Sequence, residues 1–194
     1  MIFWLFSATL GNMNKTRRLF IGLPLSDALR KRLSLEVDQL PSHAVLPIAP
    51  ANLQVTLMFL GFVHDEEVPE MCERVGEVAE TMESFELSFT GMKLIEDTLH
   101  PRMIWLMGEP SDGLRHLREE MEKAFSAFVT EKKVYSPHVT VAKIKRTKWL
   151  ALYPQPVLKE KLSILEMIDT VVVYESLSLD GKRRYEPIAT FPLL

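Results

Sequence analysis

Ser136-Pro137-His138-Val139-Thr140-Val141-Ala142-Lys143 is the stretch on which the fold turns. Polar and apolar side chains alternate from His138 to Thr140, and Val141, Ala142 and Ile144 carry the run on, which predicts a β-strand over His138–Ile144. Residues two apart on a strand share a face, about 6.5–7 Å apart along the backbone, so His138 and Thr140 can touch one tetrahedral phosphate. Imidazole, with an unperturbed pKa of about 6.5, exchanges a proton near neutrality. A threonine hydroxyl donates a hydrogen bond but is no ready acid or base. An isolated His-x-Thr is common, and its ordinary reading is a histidine on a half-exposed strand. A second strand of the same form lies upstream: Gln54-Val55-Thr56-Leu57, in the run Gln54–Leu60. Strict alternation there puts Gln54, Thr56, Met58 and Leu60 on one face and Val55, Leu57 and Phe59 on the other, with Gly61 ending the strand.

The rest of the chain reads outward from these two strands. Arg18 to Leu25 is predicted as a buried strand. Ser26 can cap a helix whose apolar stripe is Leu29, Leu33, Val37 and Leu40, and Pro41 stops it. Pro69 suits a first helical turn, followed by the stripe Met71, Val75, Val78 and Met82. Phe85, Leu87 and Phe89 alternate as a strand ending near Gly91, and Met103–Met107 is another strand. Ser111 can cap a helix that buries Leu114, Leu117, Met121, Phe125 and Phe128. Thr170–Leu179 and Arg184–Phe191 are strands joined by an Asp180-Gly181 turn, a strong hairpin signal. Many strands, about three helices and no glycine-rich phosphate loop make the class α+β.

A chain of 194 residues fits one domain, or two small lobes sharing a core. Residues 17–194 are expected to form that single domain. Residues 1–16 are set apart as an N-terminal extension; Met13-Asn14-Lys15-Thr16-Arg17-Arg18 resembles a natural start, with Met1–Asn12 upstream of it. The formal net charge of −3 means that any nucleic-acid contact must be local, through a cleft that focuses positive potential. A single cysteine, Cys72, excludes an intramolecular disulfide and suits a reducing cytoplasm. No apolar run reaches the length of a membrane span, and no oligomerisation signal stands out, so a monomer away from membranes is expected. Asp, Glu and His do not cluster at metal-ligand spacing. No G-x-S-x-G, Walker loop or dinucleotide fingerprint occurs.

Two strands with matching Thr positions carry a resemblance. PHVTVAK, with NLQVTLMFLG upstream, resembles the paired signatures of the two-histidine phosphoesterases, and within them the bacterial RNA 2′,3′-cyclic phosphodiesterases, also called 2′-5′ RNA ligases. RRLFIGLPL resembles that family's opening strand, PRMIWLMG a central strand, and VYESLSLDGKRRYEPIATFPL its closing hairpin. The similarity runs from about Arg17 to the C-terminus. It implies a bilobal fold, two pseudo-symmetric sheet-and-helix lobes around a central cleft, with one motif from each lobe. It also implies a mechanism without metal or other cofactor. One histidine activates water and the other protonates the leaving ribose oxygen, opening a 2′,3′-cyclic phosphate of RNA or a nucleotide to a 2′-phosphomonoester. The threonines, here Thr56 and Thr140, bind phosphate oxygens.

The chain departs from that pattern at one decisive place: Gln54 stands where the first motif has histidine. Leu53, Thr56, Leu57, Phe59, Leu60 and Gly61 all keep the register. Glutamine has nearly the reach of histidine and can orient a phosphate, but it cannot relay a proton. Three readings stay open. The protein is an enzyme weakened to His138 alone, a non-catalytic binder of RNA or nucleotide phosphate ends, or an enzyme in which His64 or His100 replaces the lost histidine. Lys143 follows the second motif and is a candidate phosphate or RNA contact; a regular strand would turn it away from Thr140. It opens a basic run with Lys145, Arg146 and Lys148. Among aromatics able to stack on a base, Phe59 and Trp105 are expected in the core and Trp149 on the surface.

Overall fold

The helical stripes are buried by helices through Leu29, Leu33 and Val37, Met71 and Val75, and Leu114, Leu117 and Met121, while Leu40, Met82, Phe125 and Phe128 lie beyond the helix ends. A computed structural model describes residues 15–96, 99–128 and 135–194; residues 1–14 of the expected extension lie outside that set. The described chain runs β1 (Thr16–Pro24), α1 (Asp27–Asp38), β2 (Val45–Pro47), β3 (Gln54–His64), α2 (Val68–Ala79), β4 (Phe85–Ile95) and β5 (Met103–Gly108). It continues with α3 (Asp112–Ala124), β6 (His138–Ile144), α4 (Arg146–Leu150), β7 (Ile164–Ile168), β8 (Thr170–Leu179) and β9 (Lys182–Pro192). The strands form two antiparallel sheets. One has the order β3-β1-β8-β9, the other β2-β6-β5-β4-β7.

Capping sets the helix starts. Ser26 Oγ accepts from the Leu29 amide at 3.2 Å, and Ser111 Oγ accepts from the Leu114 amide at 3.2 Å. Each such cap stabilises its helix by about 1 kcal/mol. The buried Glu166 carboxylate of β7 accepts from both the amide and the hydroxyl of Ser26, placing negative charge at the start of α1. Helix α1 follows a strand of the first sheet yet buries Leu29, Leu33 and Val37 in a core it shares with β6 of the second. Helix α2 packs on β8 and β9 and against α3. Leu19, Ile21, Leu23 and Val55 of one sheet and Ile104, Leu106, Val139 and Val141 of the other belong to one continuous core. Full burial of each such side chain contributes about 1.5–3 kcal/mol. The β8–β9 turn is built as its sequence predicts, with Asp180 and Gly181 both at positive φ, 49° and 72°.

Three strand expectations are corrected. Gly61 does not end β3: the strand continues to His64, with Gly61 at φ 77° inside an irregular stretch of the ladder to β1. β4 likewise passes Gly91 and runs to Ile95. The alternation assigned to Gln54–Leu60 is broken by two bulges on β3, at Leu57 and at Leu60, where one residue of β3 has no partner on β1. Met58 therefore turns inward to pair with Ile21, and Phe59 turns outward to pair with Phe20. Phe59 is 64% exposed, not core. Trp149 is the converse correction: it is 2% exposed, because the basic run ends inside α4, which exposes Arg146 and Lys148 and buries Trp149. The short elements β2, β7 and α4 carry no expectation from sequence.

Candidate active site

The two motif strands are built alike. Gln54, Thr56 and Phe59 pair with Pro24, Gly22 and Phe20 of β1, and a bulge at Leu57 follows Thr56. His138, Thr140 and Lys143 pair with Met107, Trp105 and Met103 of β5, and a bulge at Val141 follows Thr140. Partners across an antiparallel ladder present side chains on the same face. Each bulge thus returns the residue three beyond the threonine to the threonine's own face. Lys143 consequently shares the face of His138 and Thr140, against the expectation from a regular strand. It is exposed, and Leu46 and Met103 flank it. In the next row of that face Trp105 stands between Thr140 and the exposed Lys93.

The strands β3 and β6 themselves come into contact. Tyr135, three residues before His138, donates its hydroxyl hydrogen to the Thr56 carbonyl at 2.8 Å. Arg118 of α3 lies 4.1 Å over the Tyr135 ring and donates to the Leu57 carbonyl at 3.1 Å. Its other guanidinium nitrogen meets Glu122 at 2.7 Å. Burial pushes the Tyr135 phenol well above its ordinary range, so it stays a hydrogen-bond donor. Tyr135 and Arg118 thus tie the approach to β6 onto the first motif at its bulge. Neither stands in a motif, and their pairing joins residues far apart in sequence.

On β6, His138 Nδ1 lies 2.8 Å from the Ser136 carbonyl. A carbonyl only accepts, so Nδ1 carries the hydrogen and Nε2 holds the free lone pair. The imidazole stacks on the Trp105 indole, with ring centroids 3.5 Å apart and planes at 12°. Burial lowers the His138 pKa from its ordinary value of 6.5, while the Ser136 bond opposes that in part. His138 is therefore neutral at pH 7, poised as a proton acceptor.

On β3, Gln54 is 7% exposed, and its Oε1 accepts from the Thr56 hydroxyl at 3.2 Å. That leaves the amide N–H donors of Gln54 for another acceptor. The strand passes close to Gly22, where an added Cβ would lie 3.4 Å from Gln54 Oε1 and 3.2 Å from the Tyr174 ring. Beyond Thr56 the same face becomes aromatic. Phe20 packs against Phe59 at 6.0 Å, stacks on Tyr174 at 5.2 Å and meets Tyr185 edge-on at 4.8 Å. This cluster is separate from the main core.

His64 and His100 do not join Gln54. His64 ends the 11-residue β3, roughly 30 Å from Gln54 at a rise of about 3.3 Å per residue. His100 is exposed before β5, at the opposite end of that strand from Met107, which pairs with His138. Among the described residues no group of three His, Cys, Asp or Glu could hold a metal ion, and no helix is long and apolar enough to cross a membrane.

Comparison with known proteins places this geometry. The model of the 2′-5′ RNA ligase superfamily matches residues 28–177. An RNA 2′,3′-cyclic phosphodiesterase of Archaeoglobus fulgidus is 30% identical over 131 residues, 66% of this chain and 73% of that protein. A crystal structure from Thermus thermophilus superposes with a TM-score of 0.77 at 22% identity, over 91% of this chain and 97% of that one. Escherichia coli LigT complexed with 3′-AMP superposes with a TM-score of 0.73 at 22% identity, over 92% and 99%. The chain belongs to the 2′-5′ RNA ligase superfamily, in its bilobal two-sheet fold.

Proposed function

We propose that this chain is a cyclic phosphodiesterase acting on the 2′,3′-cyclic phosphate of RNA or nucleotide ends, with His138 as its one proton-transferring residue. The observation that carries this reading is the matched pair of motif strands. Each carries a threonine followed by a bulge, and Tyr135 ties them together across the lobes. The activity named for the Archaeoglobus relative and the nucleotide held by LigT support the choice of substrate.

In the proposed reaction the phosphate sits between Thr56 and Thr140. Thr56 turns its hydroxyl from Gln54 Oε1 to a phosphate oxygen, and Thr140 donates to a second oxygen. Water attacks phosphorus as His138 Nε2 takes its proton, and the P–O3′ bond breaks, leaving a 2′-phosphomonoester. The leaving O3′ receives a hydrogen bond from the Gln54 amide and takes its proton from solvent. No step needs a metal. Loss of a positioned acid typically costs about 10²–10⁴ in rate, so turnover lies below that of a two-histidine enzyme. Phe59, exposed beside Thr56, offers a face for the terminal base, and Lys143 a charge for the backbone. The proposed enzyme works as a monomer in the cytoplasm.

The test is hydrolysis of a 2′,3′-cyclic nucleotide by the wild-type chain, Gln54→His and His138→Ala. Gln54→His is expected to raise turnover by about 10²-fold. Hydrolysis by the wild type with no gain in Gln54→His would remove the motif assignment. Gln54, buried and still a donor, also fits a protein that binds phosphate ends without turning them over. Saturable binding with no hydrolysis in wild type or in Gln54→His would select that second reading.

A further inference from the structure

Trp105 belongs to neither motif and has no part in the reaction just given. It pairs with Thr140 on one side and Lys93 on the other, so all three share a sheet face. His138 is not its register partner but its diagonal neighbour, because His138 pairs with Met107. Diagonal neighbours are within reach of aromatic side chains, and here the rings meet face to face at 3.5 Å. The imidazole is thus restrained twice: the indole sets the plane of the ring, and the Ser136 carbonyl sets its rotation within that plane.

The indole is an unexpected choice for packing alone. Its Nε1–H is buried and has no acceptor among the described residues, a state that destabilises a fold. A phenyl ring would fill the position without a stranded donor. What the larger ring adds is a wider aromatic face over His138.

We propose that Trp105 is a positioning residue for His138: its stacked indole, with the Ser136 carbonyl, holds the imidazole as one tautomer with Nε2 as the atom that exchanges protons. Lys93, Lys143 and, further along β4, Glu86 are charged residues on that face; all three are exposed, and the ring's preference for the neutral form comes from burial. This inference rests on the proposed role of His138, but its first test does not need turnover.

Nitrogen-15 NMR of the full chain labelled at histidine reads the tautomer and ring currents directly, with His138→Ala assigning the signal. In the wild type, the His138 ring protons are expected upfield of those of the other histidines, in the Nδ1–H form. Ring protons at ordinary shifts, or a mixed tautomer, would overturn the proposal without any variant of Trp105. Trp105→Met fills the space but offers no aromatic face. It is expected to release the upfield shift, mix the tautomers and lower kcat about 10-fold, with KM changed less than about 2-fold. Trp105→Phe keeps a face and is expected to restore the tautomer and most of kcat. If Trp105→Met retains the wild-type tautomer and kcat, or if Trp105→Phe is as damaged as Trp105→Met, the indole is packing only. If the NMR result holds while no variant hydrolyses cyclic nucleotide, the positioning stands and the cyclic phosphodiesterase reading falls.

Discussion

β3 and β6 enter their sheets in the same way. Each carries a motif residue, a threonine two residues on, a bulge, and then a side chain returned to the motif face. Their chemistry differs. The β6 wall holds His138, stacked on Trp105, with Lys143 and Lys93 around it. The β3 wall holds an uncharged Gln54 joined to Thr56, then an aromatic cluster in which the exposed Phe59 packs on the buried Phe20, itself in contact with Tyr185. Backbone geometry and proton chemistry are thus separable. Both bulges are set by ladder pairing, whichever side chain opens the strand, while proton transfer in the proposed reaction depends on His138 alone. The proposed division follows: β6 moves the proton, and β3 orients phosphate and receives the base.

The largest effect should come from removing the one titratable motif residue. His138→Ala is expected to lower hydrolysis of a 2′,3′-cyclic nucleotide by about 10²–10⁴, whereas Gln54→Ala should cost less than about 10-fold. Equal losses in steady-state assays would erase the proposed difference between the walls. The same histidine sets the pH response. Its folded pKa is lowered from 6.5, so the unfolded chain binds this proton more readily than the folded one. The stability it contributes is present above pH 6.5 and is lost as pH falls from there through the lowered value. The base form persists over that window, so the acidic limb of kcat/KM should lie below pH 6.5. A limb above that value would exclude His138 as the base. Subtracting the urea stability of His138→Ala from that of wild type, pH by pH, isolates the stability effect.

Phe59→Ala sharpens the comparison from the other wall. A base stack is worth about 1–3 kcal/mol, so binding of a nucleotide should weaken by that amount while Tm changes little, given the exposure of Phe59. Calorimetry with a 2′-nucleotide measures the first and a thermal scan the second. Tyr135→Phe removes the hydroxyl that joins the walls. It should cost about 1 kcal/mol of stability in urea denaturation, with kcat reduced more than KM is changed. Lys143→Ala should have the smallest effect. Oligonucleotide binding weakens slightly, and the slope of log K against log salt falls by about 0.7 for a single strand.

Much of the fold was legible because its signals are local. The hairpin turn, the Ser26 and Ser111 caps and the stripes of α1 to α3 each depend on residues within a few positions of one another. The motif pair was legible for the same reason, since each strand carries its threonine two residues after its first side chain. Phe59 and Trp149 were read the wrong way round, each for a non-local reason. Phe59 faces solvent because β3 bulges against β1, and a bulge is a property of two strands, not one. Trp149 is buried because α4 returns it to the core after a stretch that reads as solvated.

The sequence by itself determined the order of the principal elements and the two Thr-bearing strands, one opened by Gln54 and the other by His138. Periodicity and residue chemistry are properties of the chain. Only the tertiary structure decided which side chains share a surface. It turned Lys143 and Phe59 onto the motif faces through paired bulges, set Trp105 against His138 on a diagonal, and carried Tyr135 to the Thr56 carbonyl. Those relations depend on which strand lies beside which and in what register, and that is settled by the shared core and not by any one segment.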